Sequence, residues 1–134
     1  MNKRSIPILP LLSFAVISFG GTVLHFLYEW TGESILVAPL SAVNESTWEH
    51  MKLYFFPALL FALIECRFRR DRADFWWIKA KSILSGLILI PVLFYTANGS
   101  LGKTPDWFNI AIFFICAAIA YIYESRLFNS NKIR

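Results

Sequence analysis

Charged residues are scarce in this chain. Only 16% of its 134 residues are Asp, Glu, Lys or Arg, whereas 57% belong to the hydrophobic set and the mean hydropathy is +0.53. Soluble domains contain about 25% charged and about 45–50% apolar residues. A 15.4 kDa chain of this composition cannot cover its surface with polar side chains. The composition excludes a soluble monomer and predicts a membrane protein with a single domain, residues 1–134.

Cysteine is equally scarce, and the familiar metal-binding spacings are absent. The chain has two cysteines, Cys66 and Cys116, and two histidines, His25 and His50. The cysteines are predicted at different depths of the membrane, so we expect neither a disulfide nor a structural zinc site built on them. The sequence has no His-Glu-x-x-His spacing, no His-x-His pair and no internal repeat. Any metal site must therefore be assembled from separate segments of the chain.

Basic residues outnumber acidic ones by 13 to 9, a balance that raises nucleic acid as a partner. Their distribution argues against it, because eleven of the thirteen lie in three stretches of the chain: the N-terminal segment, the middle region 67–81 and the C-terminal segment. Only Lys52 and Lys103 lie elsewhere. Such a bias predicts that both termini and the middle connection face the cytoplasm. The expected partner is the lipid bilayer, with no nucleic acid.

The apolar runs predict four membrane-spanning helices of about 20 residues each. They cover residues 6–29, 47–66, 76–97 and 105–124. The first run continues well past Gly20, so we predict an uncleaved anchor rather than a cleaved signal peptide. The predicted fold is all-α: an integral membrane four-helix bundle with both termini in the cytoplasm.

The second helix is the most informative of the four. Its uncharged stretch, from Leu53 to Ile64, would span only about 18 Å as a helix, which is too short to cross. The helix must therefore begin near Thr47. The polar residues of its first turns then lie at the outer interface of the membrane. Ionisable groups at that depth usually face the protein interior and have partners.

Two histidines and several carboxylates are predicted to meet at the outer ends of the first two helices. His25 and Glu29 are four residues apart and share one helix face. His50 lies in the first turn of the second helix, so a metal site of His25, Glu29 or Glu45, and His50 is one hypothesis, with zinc, iron or manganese bound. The other hypothesis is a hydrogen-bonded polar network, in which Glu49 also serves a helix-capping box.

We predict that a small polar ligand or a cation would contact side chains at the entry to the second helix and near the end of the third helix. The predicted ligand-binding residues are Asn44, Glu45, Glu49, His50, Lys52, Tyr95 and Asn98. Three functions stay open: a binding or transport module, a metal-dependent hydrolase of a lipid or envelope precursor, and a subunit of a larger membrane complex. In the hydrolase, Glu49 would be the catalytic general base. The sequence does not decide whether the protein is an enzyme, and either a homodimer or a larger complex is compatible with it.

At the cytoplasmic side, Glu65 and Glu124 lie near helix C-termini, where the helix dipole disfavours a negative charge. We expect each to pair with an arginine, the available ones being Arg67, Arg69 and Arg126. Lys79 and Lys81 are expected to extend toward the membrane surface.

The run from Val43 to Lys52 reads Val-Asn-Glu-Ser-Thr-Trp-Glu-His-Met-Lys and is followed by Phe56-Pro57 and Glu65. It resembles the signature of an uncharacterised domain family of small multi-pass membrane proteins found in bacteria, commonly Gram-positive ones. The resemblance implies a location in the bacterial cytoplasmic membrane. It implies no activity.

Overall fold

The computed structural model describes residues 8–42, 47–70 and 72–130, with Asp106 described by its backbone alone. Four helices run through these residues in chain order: α1 Ile8–Trp30, α2 Thr47–Glu65, α3 Phe75–Leu101 and α4 Asp106–Ser130. No strand occurs in the described ranges. The predicted all-α fold is confirmed.

Three helices, α1, α3 and α4, are long and apolar enough to cross a membrane. The helix α2 has 19 residues, about 28 Å at helical rise, but Glu49, His50 and Lys52 make its first two turns polar. It begins at Thr47, as predicted from the short length of its uncharged stretch. The helices α3 and α4 end at Leu101 and Ser130, later than the predicted 97 and 124.

The helices pack in a ring, each against its neighbours in the chain and α1 against α4, while α2 also touches α4 across the bundle. Successive helices run in opposite directions, since the end of α1 meets the start of α2 at His25 and His50. Likewise, Lys79 at the start of α3 contacts Glu65 and Glu124, which lie toward the ends of α2 and α4. One end of the bundle carries His25 and His50 and is called the histidine end below. The opposite end, where α2 leads into α3, carries the arginines 67, 69, 70 and 72 and is called the basic end.

An apolar core fills the bundle between its two ends. It is built from large side chains such as Leu53 and Phe113 and from the small residues Cys116, Ala117 and Ala120, which are 0–2% exposed. These small residues let α4 approach its neighbours closely. A Cβ atom at Gly21 would lie 2.5 Å from the ring of Phe113, so this position admits no side chain.

The outside of the bundle is strongly apolar. Large hydrophobic side chains are exposed on every helix, among them Phe19, Leu60, Ile88 and Ile115. All five tryptophans are exposed and lie near helix ends: Trp30, Trp48, Trp76, Trp77 and Trp107. An apolar belt bounded by tryptophans is the surface that a bilayer solvates.

Backbone geometry fixes where α1 ends. Glu33 N–H donates to the carbonyl of Tyr28 over 2.8 Å, and Gly32 N–H donates to that of Glu29 over 3.1 Å. This pattern is a Schellman motif, which needs a left-handed residue, and Gly32 supplies it with φ of 68°. The chain turns sharply there and runs back toward the bundle.

Candidate functional site

His25 of α1 and His50 of α2 meet at the histidine end. Their ring centroids are 5.8 Å apart, with the ring planes tilted by 53°. His50 is 4% exposed and His25 is partly buried. The sequence placed both residues near the ends of adjacent helices, and the structure brings the two imidazoles together.

Both imidazoles line one small cavity of about 40 Å³. The remaining walls are mainly apolar, formed by Phe26, Leu53, Ile110, Phe113 and Phe114. One water molecule needs about 10–15 Å³ measured in this way. The cavity therefore has room for a metal ion or a few waters, with the two imidazoles as its main polar groups.

Glu49 and Lys52 form an ion pair beside this cavity. Lys52 Nζ lies 2.6 Å from Glu49 Oε2, and both side chains are largely buried. The same ammonium donates to the carbonyl of Ala38 over 3.0 Å. Lys52 therefore fastens the α1–α2 connection to α2, and the Glu49 carboxylate is engaged by a cation of its own helix.

Three other predicted site residues do not line the cavity. Glu29 is exposed at the end of α1, and Tyr95 is 64% exposed on α3. Asn98 accepts a hydrogen bond from Thr104 N–H over 3.1 Å, and its side chain thereby holds the α3–α4 turn. Asn44 and Glu45 lie outside the described residues.

Within residues 8–42, 47–70 and 72–130, no group of three His, Cys, Asp or Glu side chains is placed to hold a metal ion. The predicted set of His25, Glu29 and His50 is not assembled there, because Glu29 is exposed at the end of α1 and does not line the cavity. The pair of imidazoles is assembled.

The contacts of Ser41 could not be anticipated from the sequence. Its side chain is completely buried, and its Oγ accepts a hydrogen bond from Tyr28 N–H over 2.9 Å. Its hydroxyl donates to the carbonyl of Leu24. Serine in a connection is common and carries no signal of such a contact.

A second polar cluster is buried at the basic end. Lys79 forms ion pairs with Glu65 and with Glu124, the latter at 2.7 Å, and Ser82 Oγ donates to Glu124 over 2.9 Å. Arg69 Nε donates to Glu65 over 2.9 Å, which confirms one of the expected arginine partners. We define this as the basic-end network.

The expected position of Lys79 at the membrane surface was wrong. Its side chain is 2% exposed, because two carboxylates from α2 and α4 hold the ammonium inside the bundle. Glu124 pairs with Lys79 rather than with an arginine. Lys81 is only partly buried, and its ammonium lies 5.0 Å from the ring of Trp77.

The two clusters differ in chemistry. The basic-end network pairs two carboxylates with two cations, so its charges balance within the protein. The histidine end has two imidazoles facing a cavity that they share. Imidazole nitrogen is a ligand for zinc and similar metals and also a hydrogen-bonding group. The histidine end is therefore the candidate site.

Comparison with known proteins defines the family but no activity. No curated protein and no solved structure matches the chain at a significant level. The model of a family of unknown function (DUF6512) matches residues 3–133, nearly the whole sequence. The chain is thus a member of the family of unknown function DUF6512.

Proposed function

We propose that this protein is a membrane-embedded cation-binding protein, with a transition-metal ion such as zinc held between His25 and His50. The observation that carries the proposal is that two imidazoles from different helices line one cavity with centroids 5.8 Å apart. Two imidazoles on one tetrahedral zinc ion would have centroids about 5 Å apart, given Zn–N distances of about 2.0–2.1 Å. A small side-chain movement therefore suffices for joint ligation.

The cavity is large enough for an ion. One water molecule needs about 10–15 Å³ measured in the same way, and the volume here is about 40 Å³. A metal ion with a bound water fits this space. The apolar walls also exclude competing waters, which strengthens metal–ligand electrostatics.

A carboxylate completes the proposed ligand set. The sequence allowed either Glu29 or Glu45 as the third ligand, and Glu29 is exposed and does not line the cavity. We assign the role to Glu45, five residues before His50 in the chain. Two histidines and one carboxylate with an open position form a common set for zinc.

The proposal includes the direction of the chain in the membrane. With the arginine-rich basic end in the cytoplasm, as the positive-inside rule requires, both termini are cytoplasmic and the histidine end faces outward. In a bacterial cell the cavity would then bind cations from the outer side of the cytoplasmic membrane. Assembly into a homodimer or a larger membrane complex stays a prediction.

Calorimetric titration with zinc chloride tests the proposal. Purified full-length protein in lipid nanodiscs should bind one zinc ion per chain and should prefer zinc to magnesium, since imidazole is a poor ligand for magnesium. His25→Ala and His50→Ala should each weaken zinc binding by at least about tenfold.

The matched pair Glu45→Gln and Glu29→Gln tests the third ligand. Both substitutions remove one carboxylate charge, but only Glu45→Gln should weaken zinc binding. Zinc binding that both histidine variants retain at wild-type strength would refute the proposed function. A loss in Glu29→Gln without a loss in Glu45→Gln would refute the choice of third ligand alone.

A further inference from the structure

The hydroxyl of Ser41 bridges two backbone groups of α1. Tyr28 N–H donates to Ser41 Oγ, and the Ser41 hydroxyl donates to the carbonyl of Leu24. These two groups face each other across one turn of the helix. The turn of α1 that Ser41 bridges is the turn that carries His25.

The connection that carries Ser41 also holds α2. The Lys52 ammonium donates to the carbonyl of Ala38, three residues before Ser41, and pairs with Glu49, the residue before His50. Residues 38–41, called the strap below, therefore contact α1 at the turn of His25 and α2 at the turn of His50.

The strap lies beside α1 rather than beyond its end. Leu24 is six residues before Trp30, the last residue of α1, which is about 9 Å along the helix. Ser41 is fully buried and the next residue, Ala42, is 8% exposed, whereas Pro39 and Leu40 of the strap are exposed. The protein therefore covers the part of the strap that contacts α1.

We propose that Ser41 is a positioning residue for the cation site, and that its hydroxyl sets the distance between the imidazoles of His25 and His50. This inference rests on the proposed function. The direction of the His25 side chain depends on the geometry of this turn, because His25 lies between the two backbone groups that Ser41 bridges.

The Ser41→Ala substitution distinguishes a positioning role of Ser41 from a role in the stability of the fold. In Ser41→Ala, Leu24 and Tyr28 can hydrogen-bond directly to each other, so no buried backbone group is left without a partner. The protein should remain stable. The turn should adjust once the bridging hydroxyl is absent, however, and His25 should shift away from its place opposite His50.

Zinc binding and the signals of the histidine rings test the inference in nanodiscs. Ser41→Ala should weaken zinc binding by about 10–100-fold, the usual effect of losing a residue that orients a metal ligand, without lowering the unfolding temperature. Ser41→Thr retains the hydroxyl and should recover most of the affinity. Thr31→Ala is the control, because Thr31 also donates its hydroxyl to an α1 carbonyl, that of Leu27 over 2.9 Å, from an exposed position.

NMR of the imidazole nitrogens without metal gives an independent readout. The ring signals of His25 should change in Ser41→Ala and stay at wild-type positions in Thr31→Ala. Unchanged ring signals, or zinc affinity equal to wild type in Ser41→Ala, would overturn the inference. A wild-type protein that binds no zinc would instead overturn the proposed function, and the ring signals would still decide the role of Ser41.

Discussion

The ammonium of Lys79 lies 2.7 Å from the carboxylate of Glu124, and both side chains are at most 5% exposed where α3 packs against α4. The same ammonium pairs with Glu65 of α2. One cation thus joins three helices at the basic end. Removing a single partner from a buried ion pair is costly because the remaining charge stays buried without compensation.

We predict that Lys79→Met destabilises the protein by about 3–5 kcal/mol. The double variant Lys79→Met with Glu124→Gln should be more stable than Lys79→Met alone, because it keeps the balanced pair of Glu65 and Arg69. Thermal unfolding in nanodiscs measures both. The control is Lys81→Met, which removes a partly exposed lysine from the same helix. Equal losses in Lys79→Met and Lys81→Met would contradict the role assigned to the network.

A second prediction concerns the contact between α2 and α3. The ring of Tyr54 occupies the space that a Cβ atom at Gly86 would need. Gly86→Ala should therefore destabilise by about 1–3 kcal/mol through overpacking, although alanine favours a helix. Gly99→Ala is the control, since nothing lies within 4 Å of its Cβ position. In a Tyr54→Leu background, the cost of Gly86→Ala should largely disappear, and a cost that persists would place the strain elsewhere.

The helices and the meeting of the two histidines could be predicted because the sequence encodes them directly. A bilayer demands about 20 residues per span, so the short run from Leu53 to Ile64 forced the start of α2 back to Thr47. That start places His50 at the same end of the bundle as His25. Local rules of length and polarity sufficed for both results.

Contacts that depend on helix rotation could not be predicted. A lysine close to a helix end gives the same sequence pattern whether its side chain extends to the membrane surface or points into the helix bundle. The close packing of Gly86 on Tyr54 turns one face of α3 inward, and Lys79 and Ser82 lie on that face. Likewise, Ser41 acquires its role through a contact 17 residues away in the chain, which no local pattern records.

A third prediction tests the direction of the chain. In a variant without Cys66 and Cys116, a single cysteine is introduced either at Lys103, exposed between α3 and α4, or at Ser130, exposed at the end of α4. The positive-inside distribution predicts that a membrane-impermeant maleimide labels position 103 on intact cells and labels position 130 only after lysis. Labelling of position 130 on intact cells would reverse the assigned direction.

The last prediction is that His25 and His50 act as one unit. Their rings share a cavity, so the effects of His25→Ala and His50→Ala on stability should not add, with a coupling energy of about 0.5–3 kcal/mol. A double-mutant cycle measured by thermal unfolding in nanodiscs, with and without zinc chloride, gives this energy. A bound ion stabilises the folded state only when its ligands are intact, so zinc should enlarge the coupling. If the stability losses of the two single variants add to within about 0.5 kcal/mol in both conditions, the two histidines lie in separate environments. A coupling energy that is the same with and without zinc would identify a hydrogen-bonded pair rather than a metal site.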